Sequence, residues 1–140
     1  MADTIYNSFK RDIMNGGIDI DTDTIKVALV TSTYTVDQDV HDNFDDITNE
    51  VSGTGYTAGG ATLASVVVSV DNTDNEGVFD AADVTWSTST ITARGAVVYK
   101  STGTGSTSKL ICFLDFTSDK ISTAGDFIIQ WGSEGILNLN

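Results

Sequence analysis

The sequence predicts a mainly β protein: a single-domain antiparallel sandwich or barrel-like fold with a short N-terminal helix. Three observations predict it. Thr, Ser, Val and Ile recur along a chain that has no proline, and β-branched side chains fit a pleated sheet better than a helix. Short runs of these residues alternate with Gly, Asn, Asp and Ser turns, at a spacing that gives about seven or eight strands of a sandwich or barrel. The length, 140 residues, suits one domain and lets the chain bury about two-thirds of its unfolded surface.

Each element has its own signal. Over residues 4–15 the apolar side chains Ile5, Phe9 and Ile13 repeat every four positions, with Tyr6 and Met14 beside them. That is one face of a helix, which Asp3 or Thr4 can cap and Gly16-Gly17 can end. The face either packs on the domain's own sheet or forms an arm that docks on a partner; the segment 1–17 is bounded accordingly. Residues 18–23, IDIDTD, read as a turn or edge strand with aspartates outward. Residues 25–30, IKVALV, read as a buried strand. In the acidic segment 37–50, DQDVHDNFDDITNE, the spacing of Val40, Phe44 and Ile47 suits a one- or two-turn helix. The polar stretch 49–63 is punctuated by Gly53, Gly55, Gly59 and Gly60. It reads as a flexible loop that feeds a strand whose valines (66, 67, 68 and 70) look buried. DNTDNEG at 71–77 is a dense turn. Strands follow at 78–79 and 84–86, at 91–100 with Gly95 marking a bulge or a close approach, and at 109–117. Residues 101–108 and 118–125 read as turns. Residues 126–131 and 136–139 close the chain as strands.

Composition narrows the partners. The net charge is −13, from 20 acidic and 7 basic residues. With so few cations, none clustered, binding to a nucleic-acid backbone is disfavoured, and an anionic membrane would repel the chain. No apolar run is long enough to span a bilayer. The opening MADTIYNSFKRDIMNGG lacks the apolar core of a signal peptide, and the single Cys112 allows no intrachain disulfide. Both point to synthesis in a reducing cytoplasm.

The search for chemistry excludes more than it finds. GTGYTAGG lacks the Gly-Lys-Ser/Thr ending of a phosphate-binding loop and leads into a strand, not a helix. Asp37 and Asp39 have the first spacing of a calcium loop, but Asp42 stands where its Gly belongs and Thr48 where its bidentate Glu belongs. Asp19, Asp21 and Asp23 fail likewise. Asp71, Asp74 and Glu76 are able to chelate but also read as a turn. His41 is the one histidine and has no nucleophilic serine motif to serve. Cys112 lies in LICFL, where it packs as a small hydrophobe. Trp86, Trp131, Tyr56 and Tyr99 suit a sugar platform or, more simply, a core. The expectation is no catalytic residue, no cofactor and no metal.

At residues 49–63, NEVSGTGYTAGGATL, the chain resembles a family of small structural proteins of tailed bacteriophages and prophages. The likeness continues through KVALVTSTYT (26–35), DVTW (83–86), ITARGAVVYK (91–100), DFIIQW (126–131) and the initial YNSFKRDIMNG (6–16). It implies a non-enzymatic virion protein made in the host bacterial cytoplasm. The implied place is the capsid exterior, as a decoration or cement protein that binds the major capsid protein and itself, as a homo-oligomer such as a trimer. A tail or head–tail component is the runner-up. Two readings from other classes are a tail-associated carbohydrate- or receptor-binding module and a small hydrolase with converging carboxylates. The expected contact surfaces are the helix face (Ile5, Tyr6, Phe9, Ile13, Met14) and the loop residues Gly53, Gly55, Tyr56, Gly59 and Gly60.

Overall fold

A computed structural model describes residues 3–140. It is mainly β, with two antiparallel sheets and one short helix. The strands are β1 (Thr4–Ile5), β2 (Ile25–Val30), β3 (Ala61–Thr62), β4 (Val67–Asp71), β5 (Glu76–Asp80), β6 (Val84–Lys100), β7 (Leu110–Ile129) and β8 (Leu137–Leu139); the helix α1 covers Asn7–Met14. One sheet has the order β1-β7-β6-β2-β3 and the other β4-β5-β8.

The helix starts later than its periodicity predicts. Thr4 and Ile5 pair with Phe113 and Cys112 of β7, so the backbone is extended where a cap at Asp3 or Thr4 was expected, and Tyr6 takes the N-cap position. Long-range pairing here outcompetes a local helical turn. Tyr6 and Phe9 are fully buried in the chain's own core. They are therefore not contact-surface residues, and only Met14, 81% exposed, remains fully available from that face. Ile5 and Ile13 are half-buried.

The two longest strands replace four shorter predicted ones. Residues 84–86 and 91–100 join in β6, and 110–117, 118–125 and 126–129 join in β7. The expected turn at 118–125 is absent. Its Ser and Thr residues instead continue the ribbon through register shifts between Trp86 and Ser89, Ser89 and Ile91, and Ala93 and Gly95. Thr88, Thr117 and Ala124 adopt positive φ. Each bulge absorbs an extra residue while pairing resumes beyond it. The buried Ser89 and Ser122 hydroxyls bond each other at 2.8 Å; Ser89 also donates to the Gly125 carbonyl, and Ser122 accepts the Ile91 N–H. A polar pair inside the ribbon is thus satisfied and costs little. Gly95 sits under the Phe113 ring, which lies 2.6 Å from where a Cβ would stand.

Two apolar clusters cover the two faces of the larger sheet. Val27 and Leu29 of β2 join Ile91, Ile111, Phe79, Leu137 and Phe9 in the cluster shared with the smaller sheet. Ala28 and Val30 join Tyr6, Tyr34, Val97 and Phe113 on the other face, where Val36, Phe44 and Ile47 of the 31–60 connection pack. Residues 27–30, VALV, are therefore buried on both faces, as their unbroken apolar run predicts. In the acidic segment a single 3-10 turn, Phe44–Asp46, stands in place of a longer helix, and Val40 lies exposed. Residues 18–23 form a turn, not a strand, with Ile18 and Ile20 buried and Asp19 and Asp21 exposed.

The valine strand is the largest departure. Val67, Val68 and Val70 are 50%, 52% and 75% exposed. β4 pairs only with β5 and forms the edge of the smaller sheet. A run of β-branched residues carries the same signature whether or not a second layer covers it, and here none does.

Asp12 anchors the helix end. Its side chain is 1% exposed and lies 3.0 Å from Arg11 Nε and 3.1 Å from Lys109 Nζ. Burial opposes its charge, but the hydrogen bonds from Arg11 and Lys109 outweigh burial and hold its pKa below the usual 3.8. A carboxylate with a lowered folded pKa adds stability above its unfolded pKa, and that stability disappears as pH falls through the folded value. Asp12→Ala should lower the unfolding free energy at neutral pH by about 2 kcal/mol, measured by urea denaturation. The difference between Asp12→Ala and the parent should shrink as pH falls below 3.8.

Candidate functional site

The glycine loop that carries the sequence resemblance is fixed by its own chain. Glu50 Oε1 accepts the Tyr56 hydroxyl at 2.6 Å and the Gly59 N–H at 2.6 Å. Tyr56 in turn accepts the Leu29 N–H at 3.0 Å, and the Tyr99 hydroxyl donates to the Gly59 carbonyl at 2.6 Å. Tyr99 stacks on Phe44, with ring centroids 4.2 Å apart. Burial, and then its bond to Glu50, raise the Tyr56 pKa; burial and the Glu50 charge push Tyr99 up to about 12. These phenols stay protonated and act as donors at neutral pH.

The glycines serve close backbone approach. A Cβ on Gly60, at φ 76°, would stand 1.9 Å from the Val27 carbonyl oxygen, and one on Gly53 would stand 2.3 Å from that of Thr90. Gly55 turns over Ser89. The expected flexible loop is therefore pinned across β2 and β6, and Gly53, Gly59 and Gly60 make intrachain contacts. Tyr56 is half-buried with its hydroxyl engaged.

The aromatics do not form an open platform. Trp86 and Tyr99 are buried, and Trp86 meets Phe127 edge-on at 6.0 Å. Trp131 is half-buried and donates its Nε1–H to the Ala82 carbonyl. Cys112 is fully buried, which pushes its thiol up to about 12. His41 Nδ1 lies 3.0 Å from the Tyr34 hydroxyl, which in turn meets the Tyr6 hydroxyl at 2.9 Å. This chain links the acidic segment to the helix and presents no nucleophilic serine to the ring.

Several aspartates of these acidic segments hold turns. Asp37 Oδ1 accepts the N–H groups of Asp39 and Val40. Asp23 accepts the Asp19 N–H and pairs with Lys100 at 2.9 Å. Asp46 accepts the N–H groups of Asp42 and Asn43, bonds that hold its pKa below the usual range. Asp71 closes the β4–β5 hairpin by accepting the N–H groups of Thr73 and Asp74. Short carboxylates commonly serve turns in this way.

One carboxylate group does converge, and its membership differs from the sequence expectation. Asp74, Glu76 and Glu134 bring carboxylate oxygens within 4.8 Å of one another, with Asn138 donating to Glu76. Glu134, 58 positions from Glu76 in sequence, replaces Asp71. The group lines a depression of about 390 Å³ with Ile5 and Leu137. Asp74 and Glu134 are exposed.

No helix among the described residues is long and apolar enough to cross a membrane. The chain matches no protein-family model, no curated protein and no solved structure.

The glycine contacts carry a direct test. Gly60→Ala should cost at least about 2 kcal/mol of unfolding free energy, combining left-handed backbone strain with the Val27 clash. Gly103→Ala, with open space around its Cβ position, should cost less because only the strain applies. Chemical denaturation of the two variants makes the comparison.

Proposed function

We propose that the chain is a non-enzymatic structural protein of a tailed-phage virion, a capsid decoration or cement protein that works by protein–protein contact. The observation that carries the contact role is an uncharged, apolar, exposed edge, Val67–Val70, with Met14 also exposed, on a domain of net charge −13. Apolar surface left open on a charged protein marks a place where another surface sits. The virion placement rests on the sequence resemblance through residues 49–63 and the segments that follow it. Negative charge suits a crowded exterior, where many copies must stay apart except at their contacts, and is unfavourable against packaged DNA. On this reading the partners are the major capsid protein and further copies of the chain, and many modest contacts on a lattice sum to tight attachment.

Purified chain should bind emptied heads saturably in a co-sedimentation assay. Cryo-electron microscopy of particles that carry it should then show density on the head lattice. Density confined to the tail would overturn the decoration reading and favour the tail-component alternative. Absence of binding to any shell protein would overturn the contact role on the capsid.

A further inference from the structure

We propose that β4 is a self-pairing strand: two copies of the chain join their smaller sheets across a two-fold axis through Val68. The inference stands on the geometry of the sheet edges and is independent of where the protein resides.

The sheet edges differ in how they are guarded. β3 and β8 have two and three residues, too short to template a partner strand. Among the described residues, β7 has no strand neighbour on its outer side beyond Phe113. That long edge carries exposed Asp119, Lys120 and Asp126, and Thr117 and Ala124 at positive φ. Charges and bulges are the devices that block edge-to-edge pairing. β4 has neither within residues 67–70. It offers alternate backbone N–H and C=O groups outward and has β-branched residues at most positions, the features of a strand open to addition.

The chemistry selects a second copy as the occupant. Two chains of net charge −13 repel, so they can meet closely only where charge is absent, and residues 66–70 are such a strip. An antiparallel pair centred on Val68 places Val67 opposite Ser69 of the second copy and Val68 opposite itself, with Val66, just before the strand, level with Val70. Asp71 then lies level with Ser65, where the backbone turns at positive φ before the strand begins, and not opposite another Asp71, which avoids the cost of like charges directly opposite. The register is self-complementary, as a two-fold contact requires.

The strand is not the whole contact. Five residues extend only about 17 Å, less than a stable interface needs by itself. Val68 also lines a groove of about 330 Å³ with Ile13, Ile18 and Ile20, which Asp19 and Asp21 line as well. Alternation puts Val68 and Val70 on one face of β4, so valines of the second copy approach the isoleucines of this groove. The arrangement gives a dimer as the basic unit, not the trimer that the resemblance suggests.

Sedimentation of the purified full chain, without any capsid, tests this. The 14.8 kDa chain should pass to twice that mass as concentration rises, more readily at physiological salt than at low salt, because screening relieves the mutual repulsion. Val68→Lys sets two cations against each other on the axis and should weaken dimerisation at least about tenfold, with unchanged circular dichroism. Val70→Lys, at a more exposed position, should weaken it too and decides the matter if Val68→Lys misfolds. Ile121→Lys, on the exposed face of β7, should leave it unchanged. Val68→Cys should form a disulfide-linked dimer on mild oxidation. A monomer at every concentration and salt, or a dimer that both lysine variants leave intact, overturns the proposal. Head binding is read in a separate assay, so either result stands without the other.

Discussion

The pairing of β6 with β7 is the interaction on which the rest of this structure depends. Near the loop at residues 101–109, the ribbon is the middle of the larger sheet: β2 flanks β6, β1 flanks β7, and both faces are buried. Toward its other end, Val84, Trp86, Phe127 and Ile129 leave that sheet's neighbours behind and pack with Phe79 and Leu137 of the smaller one. One hairpin therefore supplies core to both sheets. It does so only because bulges and the Ser89–Ser122 pair let it bend without leaving buried polar groups unpaired. The glycine loop then crosses β6 where the ribbon leaves β2, bonding to Thr90 and Leu29, and closes the larger sheet's exposed shoulder.

Much of this was legible from sequence where local chemistry decides the outcome. VALV (27–30) and LICFL (110–114) are uninterrupted apolar runs, and both are buried within strands. DNTDNEG is a hairpin turn because Asp71 accepts the N–H groups two and three residues on. The helix stops at Met14, just before Gly16-Gly17. What was not legible depends on neighbours far away in the chain. Thr4 and Ile5 are helix-compatible, yet β7 draws them into a sheet. The Ser- and Thr-rich residues 118–125 have turn composition, and only pairing with β6 shows that they continue a strand. The valines at 66–70 have the composition of a core strand, because hydrophobicity records a side chain's preference and not whether a layer lies above it. The glycines at 53–60 announced a backbone constraint; the carbonyls that impose it, on Val27 and Thr90, belong to other strands.

The same distinction shapes the candidate sites. Aspartates in the sequence invite a metal reading, but Asp23, Asp37 and Asp71 accept backbone N–H groups in their own turns. The carboxylates that do meet, on Asp74, Glu76 and Glu134, come from two segments brought together by the β5–β8 pairing. The aromatics that suggest a sugar platform serve the core. What is left open to a macromolecular partner is a charge-free apolar edge on a strongly acidic body. On the proposed reading, long-range repulsion keeps copies apart, a short neutral strip defines where they meet, and the glycine loop that first draws the eye holds the fold.

Amide hydrogen exchange across residues 66–71 tests that account most directly. In dilute solution, alternate amides of β4 should exchange fast, because one side of the strand faces β5 and the other faces water, while the amides of Val97 and Val98 in the ribbon stay protected. On concentration, the fast set should slow and the ribbon should not change. Uniform strong protection of β4 in dilute solution would mean a buried strand, and a fast set indifferent to concentration would mean an edge that nothing covers; either contradicts the account.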